Sequence, residues 1–194
     1  MFGFLARIIK SNRVILSFII GGAFVYYSNP TLKSILIGVP FILMGEAIRT
    51  WASGFIKKAK EVAQEGPYAL TRNPLYLGTF FIGLGFSLMT NNIITLILFL
   101  IIFAFVYTFT IKNEEIELTR IFGPAYLSYK RSVPVFFPGL SYITSLPSIL
   151  LQSGNRGEAV FDWELVKKHR EFRTWIGIIG CILIFLVKVI YERS

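Results

Sequence analysis

Apolar residues gather into long runs along this chain, and polar residues collect between them. The runs predict helices over Val14–Tyr27, Leu32–Ala52, Leu75–Met89, Ile93–Ile111 and Trp175–Tyr191. A membrane-spanning helix needs about 20 apolar residues, within a range of about 17–25. The second, fourth and fifth runs meet that length. The first and third are short, and would span only with snorkelling flanks and a locally thinned bilayer, or else re-enter it. Beyond the fourth run, residues 112–133 read as an amphipathic helix that turns at Gly123-Pro124, with a short helix Tyr126–Arg131 after it. Pro134 and Pro138 break the chain. Ser141–Gly157 reads as a loop skimming the membrane. Asp162 is placed to cap a last polar helix, Trp163–Arg173, that runs into the fifth span. The expected fold class is all-α: a polytopic membrane helix bundle of about five transmembrane helices with a cytoplasmic helical cap.

Composition sharpens this reading. Of 194 residues, 54% are hydrophobic and 16% charged. A soluble domain carries about 25% charge, so a soluble globule is disfavoured, as are disordered and disulfide-rich secreted chains. The net charge of +9 is explained by where the cations fall. Arg7, Lys10 and Arg13 precede the first run. Lys57, Lys58, Lys60 and Arg72 lie between the second and third. A third group, from Lys112 to Arg173, lies between the fourth and fifth. The alternate connections are nearly bare. This is the positive-inside pattern, which predicts an integral, multi-pass membrane protein with a cytoplasmic N-terminus and no nucleic-acid partner. The first run lacks an Ala-x-Ala-like exit, so no cleavable signal is expected. Lys188 is expected to snorkel to the far interface.

Candidate chemistry concentrates on the polar side of the bundle. In the second run, Glu46 and Arg49 share a helix face by their i, i+3 spacing. Either Arg49 snorkels with Glu46 neutralising it, or the two floor a polar pocket. In Arg72-Asn73-Pro74, Asn73 suits the N-cap and Pro74 the first helical position. The free N–H groups and positive dipole end, with Arg72 beside them, make an anion site suited to a small carboxylate, or else an ordinary helix start. Glu114 and Glu115 leave the fourth run on the same side, placed for an ammonium group or a ribose diol, or simply as a solvated helix face. Gly83-Leu84-Gly85 lies inside a span and reads as close helix packing. His169, the one histidine, reads as a solvated helix residue, and Cys181 as packing. No metal-ligand spacing and no histidine-based triad is present.

These residues carry a resemblance. Gly66-Pro67-Tyr68, then Arg72-Asn73-Pro74-Leu75-Tyr76-Leu77-Gly78, then one hairpin later Glu114-Glu115, Phe122-Gly123, Tyr126, Tyr129 and Val133-Pro134, are similar to the isoprenylcysteine carboxyl methyltransferase and phospholipid methyltransferase family of integral membrane enzymes. The resemblance runs from about Gly45 to Pro138. It implies S-adenosylmethionine as cofactor and a lipophilic or membrane-partitioning acceptor carrying a carboxylate, amine or thiol. It implies a cofactor-binding core at 45–138 within a single membrane domain, 1–194, and an insert plus last span at 139–194. Carried over by position, Lys60, Glu61, Val62, Ala63, Tyr68, Asn73, Pro74, Leu75, Tyr76 and Glu114 line the cofactor pocket. Arg72, Glu115 and Tyr76 are the candidate catalytic groups, Arg72 as the cation and Glu115 or Tyr76 as the proton acceptor. Two departures matter. The family usually has Arg-His-Pro, where this chain has Asn73, which is no base. The prenylcysteine enzymes carry a substrate arginine four residues before the first acid, where this chain has Thr110.

Two other functions fit parts of the pattern. A membrane sterol reductase would use NADPH, but its Asn-Tyr-Phe-Gly-Glu run is replaced here by Leu75-Tyr76-Leu77-Gly78-Thr79. A non-catalytic scaffold or transporter would use the motif structurally, and Pro40 is the one midspan break available to it.

Overall fold

A reciprocal cap begins the first long helix. The Ser34 N–H donates to Thr31 Oγ1 at 3.1 Å, and the Thr31 N–H donates back to Ser34 Oγ at 2.9 Å. Two otherwise orphaned donors are thereby satisfied. The helix that follows, α1, runs over Leu32–Ser53 and continues through Pro40. The computed structural model describes residues 22, 24–55, 62–138, 161–169 and 171–191. Most of the first predicted run, with Arg7, Lys10 and Arg13, lies outside them. So do Lys57, Lys58, Lys60, Glu61 and the Ser141–Gly157 loop.

After a short 3-10 turn at Gly66–Ala69 come α2 (Pro74–Met89), α3 (Ile93–Phe122), α4 (Pro124–Ser132), α5 (Trp163–Lys168) and α6 (Phe172–Tyr191). The described residues hold no strand, so the all-α expectation is met. Three helices, α1, α3 and α6, are long and apolar enough to cross a membrane; α2 is apolar but shorter. These correspond to the second, fourth, fifth and third predicted runs.

The helix α3 corrects one expectation. Instead of ending at Ile111 and restarting, it is a single 30-residue rod, about 45 Å long at 1.5 Å per residue. That exceeds the ~30 Å hydrocarbon core, so its last turns carry Glu114 and Glu115 out of the apolar layer without a break. It stops where expected: Gly123 has φ +53°, a left-handed conformation open to glycine, and Pro124 starts α4. A second correction concerns residues 163–173. They do not form one helix feeding the last span; α5 ends at Lys168, and α6 restarts at Phe172. Asp162 does cap α5, accepting from the Glu164 N–H at 2.8 Å.

α1 and α2 are antiparallel and interlocked by glycine. A Cβ on Gly85 would lie 2.6 Å from Gly38 O, and one on Gly78 would lie 2.5 Å from Gly45 O. Each helix thus carries two glycines seven residues apart on one face, and the backbones touch there. Small residues allow such approach between membrane helices. Ser34 Oγ, donating to Met89 O at 3.0 Å, ties the far ends together. The core cluster of Ile35, Ile42 and Met89 then receives Ile178, Phe185 and Val189 of α6.

Lys188 closes that far end. Its Nζ donates to the carbonyls of Val25 at 2.7 Å, Tyr26 at 3.0 Å and Ser28 at 2.5 Å. The charge expected to snorkel is taken up by these three carbonyls. Lys188→Met is expected to lower stability by about 1.5–3 kcal/mol, the worth of hydrogen bonds to a charged group. Thermal unfolding in detergent measures this; an unchanged midpoint would rule out the capping role.

Candidate functional site

Polar groups collect at the opposite end, where α1 finishes, α2 begins and α3 emerges. Four hydrogen bonds lash the segment before α2 to the segment after α3. The Arg72 N–H donates to Pro134 O at 2.9 Å. Asn73 Nδ2 donates to Val135 O at 2.8 Å, and Thr71 Oγ1 to the same carbonyl at 3.5 Å. Tyr129 Oη donates to Tyr68 O at 2.7 Å. The two stretches that the motif separates by a whole hairpin are therefore one surface.

Their side chains meet as pairs. Tyr76 Oη donates to Glu114 Oε2 at 2.9 Å. Arg72 Nη1 pairs with Glu115 Oε1, and Lys130 Nζ pairs with Glu115 Oε2 at 2.6 Å. The Arg72 and Glu115 side chains are only 11% and 14% exposed. Arg72 is thus anchored by an acid instead of standing alone. Asn73 occupies the N-cap position, yet it makes no side-chain cap, which corrects the expectation that it would. Its amide is turned to Val135 O, so the cap does not consume the first-turn N–H groups of α2.

A cavity of about 670 Å³ opens beside this surface, within the ~300–1,000 Å³ range of ligand sites. Arg72, Lys112 and Glu115 form its polar end, and Phe80, Phe103, Tyr107, Phe136 and Phe137 its apolar wall. Of the expected site residues it takes in Arg72 and Glu115. Asn73 reaches its lining through Val135, and Tyr76 through the Tyr107 ring, with Glu114 bonded to Tyr76; Tyr68, Pro74 and Leu75 do not line it. Val62 and Ala63 lie at the start of the same segment, and Ala63 packs on the Ala52, Phe55 and Tyr68 cluster. Lys60 and Glu61 fall outside the described residues. The aromatic wall was not expected from the motif. It was signalled by Phe99, Phe103, Tyr107, Ile111 and Glu115, which recur every four residues and so share one face of α3.

Three buried polar atoms in the segment before α2 have no hydrogen-bond partner among the described residues: Tyr68 Oη, Glu65 Oε2 and Arg72 Nε. Buried polar groups are nearly always paired, so this grouping suits a polar ligand. Burial pushes the Tyr68 phenol above its usual pKa. Tyr129, Glu114, Glu171 and Tyr76 push it the same way. At neutral pH this hydroxyl keeps its proton and is a donor. Tyr129 is raised too, by burial and then by Tyr126, with Arg72 opposing.

Two further residues depart from expectation. Arg49 keeps Glu46 as an ion-pair neighbour but makes its hydrogen bonds elsewhere. Its Nη2 donates to both Glu171 oxygens, at 3.2 and 3.1 Å, and its Nη1 to Thr79 Oγ1 at 2.7 Å. Glu46 Oε2 is 3.7 Å from Arg49 Nε. His169 is half-buried instead of solvated, with Nδ1 3.1 Å from Ser53 O.

The phospholipid methyltransferase family model matches residues 31–125. The match covers just under half of the chain. The family stretch covers α1 to α3 and stops at Ala125, within the first turn of α4. The chain is similar to the nickel-cobalt-cadmium resistance protein of Alcaligenes xylosoxydans xylosoxydans, with 32% identity over 61% of this chain and 56% of that protein. It is similar to the cobalt-zinc-cadmium resistance protein of Cupriavidus metallidurans, with 30% identity over 66% of this chain and 62% of that protein. It is also similar to the protein-S-isoprenylcysteine O-methyltransferase of Saccharomyces cerevisiae, with 29% identity over 58% of this chain and 52% of that enzyme. The matches thus span about half to three fifths of these relatives' lengths. No solved structure matches the chain. Among the described residues, no three His, Cys, Asp or Glu side chains gather as a metal site. The phospholipid methyltransferase stretch and the three long apolar helices together make this an integral membrane protein.

Proposed function

We propose that this protein is a multi-pass, S-adenosylmethionine-dependent methyltransferase whose site opens to the cytoplasm and whose acceptor is lipophilic. The observation that carries this reading is the joining of Arg72 and Tyr76 to Glu115 and Glu114 beside a largely apolar cavity, inside the family stretch. The orphaned Tyr68, Glu65 and Arg72 atoms support a cofactor rich in polar groups. S-adenosylmethionine supplies an activated methyl group when bound.

The chain's own residues would work as follows. Lys60, Glu61, Val62, Ala63 and Tyr68 flank the cofactor, and Asn73 to Tyr76 offer the start of α2, with its positive dipole end. Arg72 Nε is a donor for a carboxylate, and Glu114, held by Tyr76, an acceptor for hydroxyl or ammonium groups. Phe80, Phe103, Phe136 and Phe137 bind the apolar part of the acceptor and exclude water. Methyl transfer needs little covalent help; alignment supplies most of the rate, worth about 7–11 kcal/mol. An amine or thiol acceptor also sheds a proton. Glu115, which pairs with Arg72 and Lys130 and lines the cavity, is the carboxylate placed to accept it; Tyr76, whose hydroxyl donates to Glu114, is protonated and holds Glu114 in place. Asn73 plays no part in that proton's transfer.

The test is incubation of the purified full chain, in nanodiscs, with methyl-labelled S-adenosylmethionine and total lipid extract. The expected result is label in an organic-phase product, reduced at least about tenfold by Glu114→Ala, the size of effect typical for a charged hydrogen bond. Absence of both labelled product and cofactor binding would overturn the reading. Protection by NADPH instead would favour the reductase alternative.

A further inference from the structure

The strongest unassigned feature is the polar corner between α5 and α6, which lies beyond the family stretch. Glu171 sits in that corner, 6% exposed, and both its oxygens accept from Arg49. Four other contacts press the same corner onto the end of α1. The Asp162 N–H donates to Gly54 O at 3.1 Å. His169 Nδ1 lies against Ser53 O, and Trp175 Nε1 donates to Thr50 Oγ1 at 3.4 Å. The Phe161 ring covers Gly54, where any Cβ would collide with it. Phe161 also packs on the Ala52, Phe55 and Tyr68 cluster, with its ring 6.0 Å from that of Phe55. Phe55 in turn walls Gly66, whose φ of +57° makes the turn into Pro67-Tyr68. A continuous path of contacts therefore leads from Glu171 to the turn that presents Tyr68.

Burying a carboxylate is costly unless it is paired, and surface packing alone needs no such residue at a helix corner. Arg49 supplies more than charge. Its Nη2 alone reaches both Glu171 oxygens, while its Nη1 holds Thr79, one turn after Tyr76 on α2. A lysine has one nitrogen where this geometry uses two, one on Glu171 and one on Thr79.

We propose that Glu171 is the positioning residue of the Tyr68 turn: clamped by Arg49, it fixes the α5–α6 corner against the end of α1, and that corner backs the wall of the cofactor site. The consequence for binding rests on the methyltransferase reading; the mechanical link does not. Segment 161–175, which no family residue supplies, thus completes the site from behind.

Hydrogen exchange on the full chain in phosphatidylcholine nanodiscs, without cofactor, tests the link. Glu171→Gln keeps the shape and removes the charge; Arg49→Lys keeps the charge and removes the second nitrogen that bridges Glu171 to Thr79. Each is expected to raise exchange of residues 62–72 and 161–169 by about tenfold, as expected for local opening after loss of one charged hydrogen bond, while α2 and α3 stay protected. Glu164→Gln, on the exposed side of α5, is expected to change nothing. S-adenosylmethionine titration of the same samples is expected to show affinity reduced by about the same factor. Unchanged exchange at 62–72, or a rise spread evenly over the whole bundle, would overturn the proposal. Wild-type protein that binds no S-adenosylmethionine would sink the functional reading while leaving the exchange result to decide the link.

Discussion

Gly78→Leu is expected to prevent α1 and α2 from docking, and with it to abolish folded protein. A Cβ at position 78 would stand 2.5 Å from Gly45 O and 2.6 Å from Arg49 Cγ. The first of these is backbone and cannot turn aside. Overpacking a core costs about 1–3 kcal/mol when side chains can yield, and more when they cannot. Here the helices would have to separate along the seam that holds Gly38, Gly45, Gly78 and Gly85. Separation also moves Arg49 from Thr79, and so disturbs the start of α2 where the site is built. Gly83→Ala is the comparison. Its neighbour is the ring of Phe99, a side chain that can rotate, so the loss should be partial. Yield of monodisperse protein in detergent, followed by thermal unfolding, measures both. Wild-type yield and stability for Gly78→Leu would show that the close approach does not hold the bundle together.

Arg72→Ala is expected to have the second largest effect, on stability and binding together. The guanidinium pairs with Glu115 where both side chains are largely buried. Removing one partner of a buried pair costs about 3–5 kcal/mol, because the other charge is left behind. Lys130 still reaches Glu115 and is itself 41% exposed, so the loss should fall toward the lower end. Cofactor affinity is expected to drop about 100-fold, since the charged Nε donor disappears and Glu115 is released into the cavity. The double variant Arg72→Ala/Glu115→Ala separates the two effects: it should recover much of the stability and none of the affinity. Calorimetric titration beside thermal unfolding reads both. Full affinity in Arg72→Ala would remove Arg72 from the site.

Periodic features were legible in the sequence. The second to fifth apolar runs became α1, α2, α3 and α6, within three residues at each end except for the eleven-residue extension of α3 past Ile111, because hydrophobic length is a direct demand of the bilayer. Of the two span glycines read as close packing, Gly85 does sit against the Gly38 backbone, while Gly83 meets the Phe99 ring. The motif placed Arg72, Tyr76, Glu114 and Glu115 in two distant stretches, and the fold brings them into contact. What the sequence hid is specific to three dimensions. Asn73 has the chemistry of a cap, but its Nδ2 donates to a carbonyl at residue 135, far along the chain, and its Oδ1 is left without the capping bond. Arg49 has a carboxylate one turn away, yet takes its hydrogen bonds from a partner 122 residues distant, both of whose oxygens lie within reach of Nη2. His169 looks solvated between two cations, until the corner of α5 turns it onto Ser53. In each case local spacing named a plausible partner, and tertiary packing supplied a better one.

Ultraviolet crosslinking of radiolabelled S-adenosylmethionine to the full chain, followed by peptide mapping, asks where the methyl donor sits. Label confined to peptides spanning residues 62–78 and 107–117, and chased by excess unlabelled cofactor, is the expected result. Label confined to the far end around Lys188, or no chaseable label at all, would contradict a donor site between these two stretches.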